Sequence, residues 1–113
     1  LTTVQGLEKL SKLEHLVVYD NKLTSVKGLE NLTQLKELHL SFNQLTDVKG
    51  LEKLTMLTSL FLQNNKLTDV KGLENLTKLT NLNLSNNPDL TKAQIDELQK
   101  ALPNCDIYSN PTK

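Results

Sequence analysis

Two histidines and one cysteine are the side chains of this 113-residue chain whose chemistry could support catalysis or metal binding. His15 and His39, placed on neighbouring strands two residues out of register, would lie roughly 8 Å apart on a diagonal, with Glu37 beside His15. A zinc site needs three or four ligands at about 2 Å, so this loose trio predicts no metal site and no cofactor. Cys105 is far along the chain from both histidines, whereas catalysis needs a nucleophile and a base together in a pocket. We therefore assign no catalytic residue and expect a protein that is not an enzyme. A pH-sensitive interface suits the histidines better, because histidine titrates near about pH 6.5.

The composition argues against several classes of partner. The chain has 13 basic and 13 acidic residues, whereas a nucleic-acid-binding protein normally carries a basic excess that displaces counterions. No apolar run approaches the ~20 residues that a membrane span needs. A single cysteine allows no internal disulfide. We expect no nucleic-acid partner, no membrane insertion and a monomeric chain.

The elements that must position these side chains follow from a period of 22 residues. The unit reads LxxLxLxxNxLxxVxGLxxLxx. With no Trp, two Phe and two Tyr in the chain, its leucines indicate many equivalent small core layers instead of one irregular core. Its best-marked positions are Leu13, Leu35, Leu57 and Leu79; Leu16, Leu38, Leu60 and Leu82; Asn21, Asn43, Asn65 and Asn87; and Gly6, Gly28, Gly50 and Gly72.

This pattern resembles the leucine-rich repeat family, and its 22-residue length is similar to the class found in bacterial internalins and in a protein-phosphatase regulatory subunit. The resemblance covers nearly the whole chain. It implies an α/β solenoid: a right-handed horseshoe with a concave parallel sheet, short 3₁₀ turns on the convex side and a C-terminal helical cap. It also implies, by analogy, protein binding and a bacterial origin, with a cell-surface or secreted location and a cytoplasmic one both left open.

The physics of the unit agrees with that fold. The LxLxxN segment alternates with period 2, which predicts strands centred on residues 15–19, 37–41, 59–63 and 81–85, with Leu38 and Leu40 inward and Ser41 outward. The following segment spaces apolar residues by three, as in a 3₁₀ turn with one buried face. No unit can bury its leucines alone, so neighbouring units must stack.

Three further ladders have structural interpretations. The asparagines are predicted to point inward and to bond backbone groups that are left unpaired where each strand turns. The glycines are expected at backbone conformations that other residues avoid. A lysine ladder is matched three residues later by a glutamate ladder, which predicts a solvated convex face; the ladders are Lys27, Lys49 and Lys71, and Glu30, Glu52 and Glu74.

The two ends of the chain differ. Thr91 and Gln94 form a capping box that opens a helix, Pro103 ends it, and a short strand around Ile107 follows, so the end resembles a C-terminal cap. Leu1 falls in mid-repeat, from which we expect a segment of a longer protein or an end covered by a partner. We divide the chain into a partial repeat at 1–12, repeats at 13–34, 35–56, 57–78 and 79–90, a cap at 91–108 and a tail at 109–113.

The concave face is the predicted binding site, because its residues vary while the frame repeats. Exposed aromatic side chains gathered on one face are typical interface anchors. Phe42 is not included among the predicted binding residues, because its position often packs inward. The C-terminal end of the sheet offers small polar residues, so we expect the patch to lie toward the N-terminal repeats. The function predicted is a non-catalytic module that binds a protein partner, and the alternative is a structural spacer in a longer array. The predicted partner-binding residues are His15, Val17, Tyr19, Glu37, His39, Phe61 and Gln63.

Overall fold

In the part of the chain that the structure describes, five short parallel strands form one sheet in which strand order follows chain order. The computed structural model describes residues 12–18 and 22–110. Within them, each repeat contributes one strand, and the strands pair so that residues 22 apart along the chain lie side by side. The sheet, the turns and the terminal helix confirm the predicted solenoid. The strands are β1 (His15–Val17), β2 (Glu37–His39), β3 (Ser59–Phe61), β4 (Asn81–Asn83) and β5 (Asp106–Tyr108).

The strands are shorter than the period-2 pattern predicted. Each repeat strand ends after three residues, although Leu40 and Phe42 still donate their N–H groups to the next repeat, at 2.8 and 3.1 Å. Ser41, predicted to face outward, is buried, 7% exposed, and therefore offers little accessible surface to a partner. The chain leaves the extended conformation at Phe42, where φ is 60°, so the period-2 alternation ends there.

Leucine layers stacked behind the sheet form the core. Each repeat supplies leucines from its strand, from the segment after its asparagine and from its convex turn, and these are buried except for Leu13 and Leu16 in the first repeat, which are partly buried. Their identical spacing in every repeat lets each layer pack on the next, so that apolar area is removed from water between repeats. In the second repeat the fully buried leucines are Leu35, Leu38, Leu40, Leu45, Leu51 and Leu54.

Short 3₁₀ turns lie on the convex side at Leu29–Asn31, Leu51–Lys53 and Leu73–Asn75. Each follows a glycine with φ of 104 to 106°, a left-handed conformation that side chains with a Cβ rarely adopt. The glutamate two residues later accepts a hydrogen bond from the glycine N–H, at 2.9 Å for Glu30 and Gly28. The glutamates therefore accept hydrogen bonds from backbone N–H groups at the start of the turns. The charge pattern alone did not predict this role.

The asparagines at the strand ends connect neighbouring repeats. Asn65 is 4% exposed, accepts from Leu45 N at 3.1 Å and donates to the carbonyl oxygens of Leu40 and Leu62, both at 3.0 Å. Asn43 and Asn87 make the same set of bonds one repeat earlier and one repeat later. Asn21 lies outside the described residues.

The helix α1 (Lys92–Ala101) closes the C-terminal side of the core. It begins at Thr91, whose side chain accepts from Gln94 N while the Gln94 side chain accepts from Thr91 N, which is a full capping box. Ile95 and Leu98 are buried against the core, and Leu102 follows them. The chain then forms β5, which pairs with β4 and adds a fifth strand to the sheet.

Candidate binding face on the concave sheet

The third residue of each strand faces the solvent on the concave side of the sheet. The pairing register places these five residues in one row across the strands, which we call the central row: Val17, His39, Phe61, Asn83 and Tyr108. Val17 and Tyr108 are 52% and 55% exposed, and the three residues between them are partly exposed. The row therefore presents apolar and aromatic side chains on a sheet face that is otherwise polar.

His39 holds two of its neighbours in place. Its ring stacks on that of Phe61 with centroids 4.3 Å apart and planes 16° from parallel. Its Nε2–H donates to Glu37 Oε2 at 2.9 Å. This hydrogen bond is the main cause that lowers the pKa of Glu37 below its ordinary value, and the charges of His39 and His15 lower that pKa further. The three side chains form one pre-arranged cluster in the middle of the face.

The remaining predicted residues are placed as follows. His15 is exposed and pairs with Glu37 across β1 and β2, whereas the hydrogen bond of Glu37 goes to His39, two residues further along the same strand. Gln63 is only partly exposed, and its Oε1 is buried without a hydrogen-bond partner among the described residues. Tyr19 lies outside the described residues. The structure thus brings His15, Glu37, His39 and Phe61 together, with Val17 beside them.

Two aromatic residues were missed or set aside by the sequence analysis. Phe42 is 53% exposed at the rim of the face, so the expectation that its position packs inward is wrong. It adopts a left-handed conformation, whereas Asn64 and Asn86 occupy the equivalent positions. Asparagine enters that region more readily than phenylalanine does. A bulky exposed ring at such a position is an outlier of the kind that gathers at functional sites.

Tyr108 places an exposed aromatic ring at the C-terminal end of the sheet, where the sequence pattern led us to expect small polar residues. The short strand around Ile107 was predicted, but its partner and register were not. Because β5 pairs with β4 in parallel, Tyr108 falls beside Asn83 and extends the central row to the C-terminal edge of the sheet. The sequence contained a signal for this placement, because Cys105 and Ile107 alternate with Asp106 and Tyr108. Ile107 packs against the core, so its neighbour Tyr108 must face the concave side.

Metal-binding and membrane-spanning features were searched within residues 12–18 and 22–110. No group of three or more His, Cys, Asp or Glu side chains there could hold a metal ion. No helix in that part of the chain is long and apolar enough to cross a bilayer. Cys105 is buried within the cap, where desolvation raises the pKa of its thiol. The sheet face thus offers rings, amides and hydroxyls that can bind a partner by contact and hydrogen bonding.

Comparison with known proteins gives a consistent result. The family model described as leucine-rich repeats, in two copies, matches residues 11–53 and 55–104. An internalin, InlF, from Listeria monocytogenes is 29% identical with a TM-score of 0.90, over 100% of this chain and 34% of the internalin. Internalin C2 from the same organism is 28% identical with a TM-score of 0.88, over 100% of this chain and 50% of that protein.

A third similar structure is the functional domain of InlJ from Listeria monocytogenes, which is described as including a cysteine ladder. It is 32% identical with a TM-score of 0.76, over 91% of this chain and 22% of that one. This chain therefore spans half or less of the length of each of these three internalin structures. No significant match was found among curated protein sequences.

Proposed function

This chain belongs to the leucine-rich repeat family, and from that premise we propose that it is a non-catalytic module that binds a protein partner on its concave sheet. Leucine-rich repeat domains generally mediate protein–protein interaction, and the internalin-like ones are non-enzymatic interaction modules. The finer claim, that the concave face of this chain is the binding surface, is supported by its side chains.

The observation that carries the proposal is the central row itself. Among the described residues, the large exposed hydrophobic side chains are Val17, Phe42 and Tyr108. All three lie on the concave face or at its rim, whereas the convex turns expose mainly lysine, glutamate and threonine. Interface hot spots favour large rigid rings surrounded by weaker polar contacts, and this face has that arrangement.

The cluster of His39, Glu37 and Phe61 strengthens the case. A ring that is already stacked and a histidine that is already hydrogen-bonded lose little side-chain freedom when a partner binds. The ion pair of Lys36 and Glu14, at 3.5 Å, is about half exposed and adds little energy. We therefore assign the binding energy to the rings and treat the surrounding polar residues as the rim.

The test selects binders without assuming a partner. The intact chain is used to select from displayed libraries of random peptides and small protein domains, and the footprint of each binder is mapped by amide hydrogen exchange. We expect the footprints to cover β1–β5 on the concave side. Phe61→Ala and Tyr108→Ala should each weaken binding by about tenfold, as hot-spot truncations do.

The matched control is Lys49→Ala on the convex side, which should leave binding unchanged. Footprints on the convex turns or on α1, with full binding by Phe61→Ala and Tyr108→Ala, would contradict the proposal. A structural spacer would then be the better account of the chain.

A further inference from the structure

Apolar and polar residues alternate along the central row from one strand to the next. Val17 on β1 is aliphatic and Phe61 on β3 and Tyr108 on β5 carry benzene rings, and they are separated by the polar imidazole of His39 on β2 and the amide of Asn83 on β4. The apolar positions therefore recur on every second strand. This period is a property of the assembled sheet, because β5 enters it only through its pairing with β4.

The length of this period selects a ligand conformation. Two strand spacings amount to about 9.6 Å, since neighbouring strands lie about 4.8 Å apart. The stacked rings of His39 and Phe61, 4.3 Å apart, show that side chains on adjacent strands stay close to that spacing. A polyproline II helix rises about 9.3 Å in three residues and returns to the same face. A β-strand repeats its face at about 6.7 Å, which does not match.

The polar chemistry of the row points to the same ligand. Proline has no N–H, so a proline-rich segment presents carbonyl oxygens that need donors. Asn83 Oδ1 already accepts from Ser85 N at 3.0 Å. Its Nδ2 donates to no other described residue, so it can donate to a carbonyl that lies between Phe61 and Tyr108. The Tyr108 hydroxyl offers a second donor at the exposed edge.

The charge of this part of the face is also suitable. No residue of β3 or β4 is charged, and the nearest charged strand residues are Glu37 on β2 and Asp106 on β5. An uncharged segment can therefore lie across the middle of the sheet without losing an ionic partner. A strongly basic or acidic segment would find no counter-charge on β3 or β4.

We propose that the central row binds a neutral, proline-rich segment of a partner protein in the polyproline II conformation, running across the strands. Three apolar side chains, each three residues apart, contact Val17, Phe61 and Tyr108, and Asn83 donates to a backbone carbonyl between the last two. The inference rests on the proposed function and specifies the partner at the same face.

The probe is a blocked polyproline peptide of about ten residues with leucine at every third position, so that the leucines share one face. Its control has the same composition with leucine at every second position. Binding to the intact chain is measured by fluorescence anisotropy and mapped by backbone amide NMR shifts. The first peptide should bind with a Kd below about 1 mM, and its shifts should follow the central row. The control should bind at least about tenfold more weakly, because its leucines point to different faces.

Two variants test the contacts themselves. Tyr108→Ala and Phe61→Ala should each raise the Kd by about tenfold. Tyr108 is exposed on the last strand, so its variant keeps the fold even if Phe61→Ala proves unstable, and amide spectra verify this. Lys49→Ala is the convex control. The inference is overturned if neither peptide binds at about 1 mM, if both bind equally, or if Tyr108→Ala binds as the unchanged chain does.

The library selection separates this inference from the function on which it rests. Concave footprints from binders that lack a three-residue apolar spacing would remove the polyproline inference and leave the binding function intact. Footprints elsewhere on the chain would remove both.

Discussion

Replacing Asn65 by alanine removes several hydrogen bonds, but it leaves one buried group, the Leu45 N–H, without a partner among the described residues. Three carbonyls lose the Asn65 amide, but each keeps another donor. Leu40 O still accepts from Asn43 Nδ2 at 2.9 Å, and Leu62 O still accepts from Asn87 Nδ2 at 3.0 Å. Gln63 O still accepts from the backbone N–H of residue 42 at 3.1 Å. Only the Leu45 N–H, which donates to Asn65 Oδ1 in the buried interior, is left without an acceptor.

The magnitude follows from that single unpaired donor. A buried N–H without an acceptor costs about 1–3 kcal/mol. With the weakened carbonyl contacts added, we expect Asn65→Ala to lower the free energy of unfolding by ~2 kcal/mol. Asn65→Asp keeps an acceptor for Leu45 N but directs an ionised carboxylate at the carbonyl oxygens of Leu40 and Leu62. At neutral pH it should therefore cost more than the alanine variant, because a buried unpaired charge is more expensive than a lost hydrogen bond.

The pH dependence gives the sharpest part of the test. Burial raises the pKa of the introduced carboxyl in the folded state, so the folded protein binds the proton more tightly than the unfolded chain. The penalty of Asn65→Asp should then be full at neutral pH and shrink as the pH falls through that raised pKa. Urea unfolding at several pH values measures both variants, with exposed Asn75→Ala as the control, expected within about 0.5 kcal/mol of the unchanged chain. An alanine variant as stable as the control, or an aspartate variant indifferent to pH, would refute the reasoning.

Three further predictions concern the rim, the His39 cluster and the cap. Phe42→Asn should stabilise the fold by about 1 kcal/mol, because asparagine tolerates the left-handed backbone better, and should weaken binding of concave-face ligands; urea unfolding without a gain in stability would count against strain. His39→Ala should raise the pKa of Glu37 back toward its ordinary value of 4.5, as read from a carboxyl NMR titration. The stability from this contact is present above that value and is lost as pH falls through the lowered pKa, so an unchanged Glu37 titration in His39→Ala would contradict the assigned cause. Thr91→Ala should cost about 1 kcal/mol through loss of the N-cap, and unaltered hydrogen exchange at the start of α1 would argue against it.

The frame of this protein was predictable because its signals repeat. The leucine ladders and the inward asparagines at positions such as Asn43 follow from spacing alone, since each repeat faces the same packing problem. The capping box at Thr91 is a local signal and was also found. The differences lie just after the strand, where Ser41 is buried instead of exposed and Phe42 stands where two later repeats have asparagine.

The candidate site was harder to predict, since it depends on pairing between distant segments. Tyr108 joins the face only because β5 adds to the sheet in a particular register, and no periodicity links it to Phe61. The contact of His39 with Glu37 depends on rotamers that spacing does not specify. The glutamates of the convex turns were interpreted by charge, whereas the Gly-x-Glu spacing, with Glu30 bonded to Gly28 N, was the informative feature.

The asparagine hydrogen bonds also set the order in which the repeats can finish folding while the chain is being synthesised. Asn43 bonds Leu23 N and Val18 O, and Asn65 bonds Leu45 N and Leu40 O, so each asparagine reaches back into the repeat before its own. A repeat that has left the ribosome therefore keeps an open turn until the next asparagine emerges 22 residues later. At a synthesis rate of 5–20 residues per second this delay is about 1–4 s. In a nascent chain of this kind the repeat that emerged last, next to the ribosome, is always unfinished, and a ribosome that stalls between two asparagines exposes that repeat to chaperones and proteases.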